Sequence, residues 1–192
     1  MSRHNLHHLP GILPFAHDLL RRALQSGDCA LDATAGNGHD TLLLAQCVGA
    51  HGHIYAFDVQ PRALAATHTR LQQAGLQDRA TLIADSHAHL SQHVTVGLKA
   101  AVFNLGYLPG SDKTVVTQPA STVSALAQAL DLLLPSGVLV VVIYHGHSGG
   151  EAEQQAVENW CSALNPQDAV AVRYQLVNQS GPPPYMLAVE KR

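Results

Sequence analysis

The stretch that most constrains the fold is CALDATAGNGHDT, residues 29–41. A short apolar run ends at Asp32, a turn containing Gly36 and Gly38 follows, and a polar start opens a second apolar segment. Because glycine has no Cβ, the backbone can turn sharply there and a ligand can approach the main chain. The first N–H groups of a following helix are unpaired and can bind an anion. The pattern predicts a strand, a ligand-binding turn and a helix, as in nucleotide sites.

The spacing within this turn indicates which nucleotide it binds. A dinucleotide fingerprint reads G-x-G-x-x-G, but Thr41 stands where the third glycine would be. No lysine follows Gly36 or Gly38, as it does in a phosphate-binding loop. A ligand without phosphates is favoured, and S-adenosylmethionine fits. Asp32 can accept its ammonium group, and the helix-start N–H groups at residues 39–41 can bind its carboxylate.

Acidic residues stand at the ends of three successive predicted strands. The strands are 29–33, 53–57 and 80–84, and the acids are Asp32, Asp58 and Asp85. Ligands of open α/β sheets bind at the carboxyl ends of the strands, and an acid about 20 residues after the glycines accepts ribose hydroxyls. Residues 85–87 suit an adenine amino group. For each acid alone, a turn or helix-capping role is the favoured interpretation, but the three together favour one crevice.

The composition predicts a single domain spanning residues 1–192. A chain of 192 residues, 46% hydrophobic and 13% charged, can bury one core but is short for two ordinary domains. Three cysteines without a C-x-x-C pair favour a reducing compartment. Residues 1–10 lack the apolar core of a signal peptide, and the apolar run 138–144 is too short to span a bilayer. We expect a cytoplasmic protein that does not contact membranes.

The charge bears on possible partners. A formal net charge of −3 argues against a protein that grips nucleic acid by bulk electrostatics. RNA remains compatible with this charge, because a small enzyme can read a short RNA loop by shape and stacking. Composition alone leaves the substrate open.

Predicted strands and helices alternate along the chain. The helices are expected at 15–25, 40–48, 61–74, 87–93, 120–133 and 152–163, and the strands at 29–33, 53–57, 80–84, 100–104, 137–144, 170–177 and 185–190. Alternation predicts a mainly parallel sheet, and the loop 178–184 between the last two strands predicts a terminal antiparallel pair. The expected fold is α/β and Rossmann-like, with seven strands and helices on both faces. Pro14 is expected to be the first residue of the first helix.

A turn at the fourth strand end carries the predicted chemistry. In amino-group methyltransferases the corresponding turn has Asn or Asp, then Pro-Pro and an aromatic residue. Asn104 and Tyr107 match the two ends of that pattern, whereas Leu105 and Gly106 differ from its middle. The Asn104 oxygen and the Leu105 carbonyl are expected to hold the attacking nitrogen, and the tyrosine ring to pack on the substrate. A purely structural turn is the alternative.

Two further loops are candidates for substrate contact. His145 and His147 follow the fifth strand, but a metal site needs a third ligand, and no acid is near before Glu151. We therefore predict that no metal binds here. His145 is expected to take up a proton or contact the substrate, and His147 to contact the substrate. The alternative is that both are loop histidines without a functional role. Asp112 and Lys113 lie in a polar loop that can close over a substrate, or simply be solvated.

Six blocks of the sequence together resemble a known family. They are LPFAHDLL at 13–20, LDATAGNGHDT at 31–41, YAFDVQ at 55–60, ADSHAHL at 84–90, FNLGYLPGSDK at 103–113 and VIYHGH at 142–147. They resemble the small bacterial class I methyltransferases of the YtqB/MnmM-like family, long labelled rRNA methylases. The resemblance covers nearly the whole chain, and GNGHDT, FNLGYLPG and IYHGH are more specific than the generic methyltransferase turn.

The resemblance implies transfer of a methyl group from S-adenosylmethionine to the amino group of 5-aminomethyl-2-thiouridine at the tRNA wobble position. The partner would be the anticodon loop, which offers a splayed-out base. The alternatives are an rRNA methyltransferase, a small-metabolite methyltransferase, and a non-catalytic cofactor-binding module if the Leu105-Gly106 departure disables the site. A homodimer would help so small a domain to hold a tRNA arm.

The residue patterns and the resemblance together predict three sets of site residues. The cofactor site comprises Asp32, Thr34, Gly36, Asn37, Gly38, His39, Asp40, Thr41, Asp58, Gln60, Asp85, Ser86, His87 and Asn104. The catalytic residues are Asn104, Tyr107 and His145. The substrate contacts are Leu105, Gly106, Tyr107, Asp112, Lys113 and His147.

Overall fold

The computed structural model describes residues 8–106, 117–144, 150–179, 181 and 183–192. Five predicted site residues lie outside the described residues: Tyr107, Asp112, Lys113, His145 and His147.

Helices and strands alternate as predicted. The helices are α1 (Ile12–Ala23), α2 (His39–Cys47), α3 (Pro61–Gln73), α4 (Leu90–His93), α5 (Pro119–Leu132) and α6 (Gly150–Ser162). The strands are β1 (Cys29–Asp32), β2 (His53–Phe57), β3 (Ala80–Ile83), β4 (Leu98–Leu105), β5 (Leu133–Ile143), β6 (Ala169–Tyr174) and β7 (Tyr185–Lys191). Short 3₁₀ turns lie at Gln77–Arg79 and His87–His89.

The strands form one seven-stranded sheet in the order β3-β2-β1-β4-β5-β7-β6. The pairs among β1 to β5 are parallel, and β7 runs antiparallel between β5 and β6. A core of buried apolar side chains lies on each face of the sheet. The near-continuous burial of β4 is typical of a parallel strand covered on both sides. The predicted mainly parallel sheet with a terminal antiparallel pair is confirmed.

The boundaries of α1, β5 and β6 differ from the prediction by three or four residues. Helix α1 begins at Ile12, so Pro14 is its third residue; this is tolerated because N–H groups of the first turn need no helical partner. Strand β5 begins four residues early, at Leu133, which pairs with Leu98 across a register shift. Strand β6 ends at Tyr174, and Val177 is exposed beyond it.

Helix α1 packs one apolar stripe onto the sheet. Ile12, Ala16 and Leu20 recur every four residues and are buried, as expected for an amphipathic surface helix. This packing holds His17 beside Asp40 in the first turn of α2. Within the described part of the chain, no helix has the length and apolar character needed to cross a bilayer.

Candidate active site

The sheet brings the predicted acids to one edge. Strands β3, β2, β1 and β4 are neighbours and parallel, so their carboxyl ends meet at the same edge. Asp32 ends β1, Asp58 follows β2, Asp85 lies just beyond β3, and Asn104 is the penultimate residue of β4. The crevice expected at the carboxyl ends of these strands therefore has its polar side chains assembled.

The glycine-rich turn uses the backbone freedom that the sequence indicated. Gly36 and Gly38 have φ values of 54° and 75°, in the left-handed region that favours glycine. A Cβ at Gly38 would lie 2.7 Å from the Cα of Thr67, so the residue also allows α3 to approach closely. Thr67 Oγ1 donates to the Gly36 carbonyl, and Arg70 Nε donates to the Asn37 carbonyl at 2.7 Å. Two side chains of helix α3 thus hold the backbone of the turn in place.

Asp32 lies beneath the turn. Its side chain is fully buried, and its oxygens accept hydrogen bonds from Thr34 N at 3.1 Å and Thr41 Oγ1 at 2.6 Å. Burial and the nearby Asp40 charge raise the pKa of Asp32 to about 7. The carboxyl group braces the turn from inside. The role of Asp32 as acceptor of the cofactor ammonium stays a prediction. Asp40, in the same segment, is more accessible than Asp32, because 13% of its side chain is exposed.

Asp32→Asn is expected to flatten the pH dependence of stability. The folded pKa of Asp32, about 7, lies above its ordinary value of 3.8, so its contribution is fully present below pH 3.8 and is lost as pH rises through 7. The amide cannot titrate, but it can still accept from Thr34 N. From acidic to neutral pH the wild type should lose on the order of 3 kcal/mol of unfolding free energy relative to the variant.

Urea unfolding across this pH range measures that loss. Asp78→Asn, at an exposed carboxyl, is the control and should parallel the wild type. Parallel curves for the wild type and Asp32→Asn would show that folding leaves the pKa of Asp32 unchanged, and would contradict the raised value.

Asp58 joins the turn to the end of β2. Its carboxylate accepts from Gly36 N at 2.9 Å and from Gln60 N at 2.8 Å. A carboxylate has about four lone-pair sites, so two further hydroxyl donors can still be accommodated. Asp58 therefore lies where the ribose prediction requires it, and that prediction remains open to test.

Asp85 is surrounded by histidines. His89 Nδ1 and His93 Nε2 each lie 2.9 Å from a different oxygen of this carboxylate, and Ser86 N donates to it at 2.7 Å. These hydrogen bonds lower the pKa of Asp85 to about 2. The Ser86 hydroxyl caps the following 3₁₀ turn by accepting from Ala88 N. Among the residues that the structure describes, no group of three or more His, Cys, Asp or Glu side chains is arranged to hold a metal ion.

His87 is a neutral, buried acceptor. Its Nδ1–H donates to the Ala33 carbonyl at 3.2 Å, and its ring packs edge-on against Phe103. Burial lowers the pKa of His87, which favours the neutral ring. Its Nε2 is buried without a hydrogen-bond partner among the described residues. A ligand N–H group would satisfy this nitrogen.

Asn104 is hydrogen-bonded to the glycine-rich turn and to the first turn of α2. Its backbone N–H donates to Thr34 Oγ1 at 2.8 Å, and its Nδ2 donates to Asp40 Oδ2. His17 Nε2 of α1 lies 2.6 Å from the other oxygen of Asp40. Asn104 Oδ1 is buried and has no partner within the described ranges. Sequence reasoning gave no role to His17, although it lies in the block LPFAHDLL that carries the family resemblance.

A buried carboxylate that the sequence did not reveal is linked through Thr117 to Gly106, the residue that follows β4. Glu153 of α6 is 2% exposed and accepts from the hydroxyls of Thr117 and Thr122, each at 2.6 Å. Thr117 Oγ1 also accepts from Gly106 N at 3.2 Å. The carbonyl of Leu105 accepts from Tyr144 N at 3.3 Å and keeps one lone pair for a further donor. Glu153 thus holds together the two ends of the segment 106–117.

Comparison with known proteins shows which family the chain belongs to. The chain is 36% identical over 174 residues to the chloroplastic tRNA (mnm(5)s(2)U34)-methyltransferase of Arabidopsis thaliana, a match that covers 85% of this chain. The match spans 64% of that relative's length, less than two thirds of it.

Two solved structures resemble the chain over most of its length. The crystal structure of a putative rRNA methylase from Clostridium thermocellum has a TM-score of 0.94 at 36% identity, covering 96% of this chain and 99% of that one. A putative methyltransferase from Streptococcus mutans, solved in complex with SAH, has a TM-score of 0.88 at 37% identity with the same coverage. The family model described as "Putative rRNA methylase" matches residues 54–190. These matches confirm the predicted family, and the chain belongs to this rRNA-methylase family of class I methyltransferases.

Proposed function

We propose that the protein is an S-adenosylmethionine-dependent RNA methyltransferase that methylates the aminomethyl nitrogen of 5-aminomethyl-2-thiouridine at the tRNA wobble position. The observation that carries this proposal is the buried Oδ1 of Asn104, which has no hydrogen-bond partner in the described part of the chain. This oxygen lies beside the glycine-rich turn and requires an N–H or O–H donor. The name of the Arabidopsis relative supports tRNA as the substrate. The family description supports ribosomal RNA as the alternative.

The residues present fit S-adenosylmethionine. Asp58, which accepts a hydrogen bond from Gly36 N, presents a carboxylate for the ribose hydroxyls. His87 Nε2 is a buried acceptor suited to an amino group such as that of adenine. The complex of the Streptococcus mutans relative with SAH supports the same cofactor here.

The chain's own contribution to catalysis is positioning. S-adenosylmethionine supplies a methyl group already activated on a sulfonium, so the protein has to hold the nitrogen in line, about 3 Å from the methyl carbon. Asn104 Oδ1 accepts one N–H of the neutral amine and directs its lone pair, with the Leu105 carbonyl as the second acceptor. An aminomethyl group is largely protonated in water, so a proton must leave before attack, to His145 or to water.

Asp58→Ala is expected to weaken cofactor binding about ten- to a hundredfold. The change removes a charged acceptor for two hydroxyls, which is worth about 1.5–3 kcal/mol. Calorimetric titration with S-adenosylmethionine measures the change, and Asp78→Ala, at an exposed carboxyl, is the control. Unchanged affinity in Asp58→Ala would refute the ribose assignment.

Transfer of labelled methyl groups tests the substrate class. The purified protein is incubated with methyl-labelled S-adenosylmethionine and, separately, with tRNA, ribosomal RNA or a small-molecule extract from cells that lack the protein. We expect label in tRNA alone, with transfer that weakens steeply as salt rises because RNA binding releases counterions. Label only in ribosomal RNA, or salt-independent label in small molecules, would favour the corresponding alternative. Cofactor binding without any transfer would indicate a non-catalytic module.

We further propose a cytoplasmic location and a homodimer, which would help so small a domain to hold a tRNA arm. The cysteine usage supports a reducing compartment. Light scattering of the purified protein, with and without tRNA, measures the assembly state, and a monomer under both conditions would argue against the dimer.

A further inference from the structure

Asn104 is held by residues of two other elements. Its backbone is bonded to Thr34 in the glycine-rich turn, and its side-chain amide is bonded to Asp40 in the first turn of α2. Asp40 is in turn bonded to His17 of α1, through a contact of 2.6 Å. Asp40 and His17 are 13% and 26% exposed, so this chain of contacts is largely shielded from water.

The chemistry of Asp40 decides which way the Asn104 amide faces. An ionised carboxylate only accepts hydrogen bonds, so the amide NH₂ must face Asp40 and the amide oxygen must face away from it. The Oδ1 that Asp40 turns away is the buried oxygen that lacks a partner among the described residues. Asp40 therefore selects an acceptor, rather than a donor, at this point of the crevice.

His17 orients the Asp40 carboxylate, as Asp40 orients the Asn104 amide. Its Nε2–H donates to Oδ1 of Asp40, which leaves Oδ2 for the Asn104 amide. Asp40 thus orients Asn104, and His17 orients Asp40. The same order is found in catalytic sites where a reacting residue is oriented by a second residue and the second by a third. Other charged or titratable groups near Asp40 are Asp32, from β1, and Tyr144, which follows β5.

We propose that Asp40 and His17 are positioning residues, which hold the Asn104 amide with its oxygen toward the reacting nitrogen and so select a nucleophile that carries an N–H or O–H hydrogen. This inference rests on the proposed function, since it assigns the means by which that site orients its amine. It differs from a role for Asp40 in binding the cofactor, because positioning affects turnover at saturating cofactor rather than cofactor affinity.

The first test separates turnover from affinity. Asp40→Asn should lower kcat about tenfold at saturating S-adenosylmethionine, because the amide of Asn104 is no longer forced into one orientation, with cofactor affinity changed less than about threefold. Asp18→Asn is the control, since that carboxylate is exposed on α1 and pairs only with Arg21 among the described residues. A loss confined to cofactor affinity would overturn the proposal and assign Asp40 to the cofactor.

The second test reverses the polarity of the pair. Asn104→Asp alone places two carboxylates side by side and should lower kcat about a hundredfold. Adding Asp40→Asn restores an amide that donates to a carboxylate, and the double variant should recover about tenfold of that loss. A double variant no better than the product of the two single variants would overturn the proposal. Melting temperatures of all variants identify any loss due to misfolding.

A third test concerns His17 and keeps the inference separate from the proposed function. His17→Gln can still donate to Asp40 and should retain most activity, whereas His17→Leu should lose about tenfold in activity.

NMR of ¹⁵N-labelled protein follows the Asn104 side-chain NH₂ signals, which are identified by their absence in Asn104→Asp. They should shift and lose protection from exchange in Asp40→Asn; unchanged signals would overturn the inference. Wild-type protein inactive on every RNA, but with this NMR change, would refute the proposed function alone.

Discussion

Asn104→Ala is expected to lower methyl transfer at saturating S-adenosylmethionine by about a hundredfold, because the substrate nitrogen loses the acceptor that orients its lone pair. The backbone bond from Asn104 N to Thr34 Oγ1 does not depend on the side chain, and Asp40 keeps its contact with His17. The turn should therefore stay in place, and cofactor affinity should change little. Single-turnover kinetics together with calorimetry measure both quantities.

Asn159→Ala is the matched control for this change. Asn159 lies on α6 and accepts from Gln155 in an exposed side-chain pair away from the crevice. It should leave kcat unchanged. If Asn104→Ala instead unfolds the protein, or if its kcat is that of the wild type, the β4 turn is structural and the assignment of Asn104 to catalysis is wrong.

Gly38→Ala is expected to destabilise the protein by about 2–4 kcal/mol and to abolish cofactor binding at ordinary concentrations. The left-handed φ of 75° is unfavourable for alanine, and the new Cβ would lie 2.7 Å from the backbone of Thr67. To relieve this clash, α3 must move away from the turn. Because α3 is hydrogen-bonded to the carbonyls of Gly36 and Asn37, the movement would displace both residues. Thermal unfolding should show a decrease in Tm of about ten degrees.

Gly75→Ala separates backbone strain from packing. Gly75 has a similar φ of 68°, but a Cβ there meets nothing within 4 Å. This variant should lose only about 1–2 kcal/mol, with cofactor binding intact. Equal losses in the two variants would mean that the close approach of α3 does not matter for stability.

The alternation of strands and helices could be predicted because each element carries its own apolar period. A polar residue lies at or within two residues of the end of each of the strands β1 to β4, and the sequence shows these residues directly. The edge where Asp32, Asp58 and Asn104 meet then follows from the parallel arrangement. The start of α1 was predicted late because Pro14 is compatible with several positions of a first helical turn.

The links between distant residues could not be predicted in this way. His17 and Asp40 are 23 residues apart and Asp40 and Asn104 are 64 apart, so no local period reports their contact. Glu153 lies among polar helix residues, and nothing in its neighbours indicates that two threonine hydroxyls satisfy it in the core. Likewise, the sequence shows that Asp32 ends a strand but not that its carboxyl points inward.

The central claim is that this site methylates the aminomethyl nitrogen of a wobble uridine. The most direct measurement is mass analysis of nucleosides from tRNA rich in 5-aminomethyl-2-thiouridine, before and after reaction with the protein and S-adenosylmethionine. We predict loss of that nucleoside and gain of 5-methylaminomethyl-2-thiouridine, heavier by one CH₂ group. An unchanged aminomethyl nucleoside, with the cofactor bound and the methyl group recovered elsewhere or not transferred, would contradict the account.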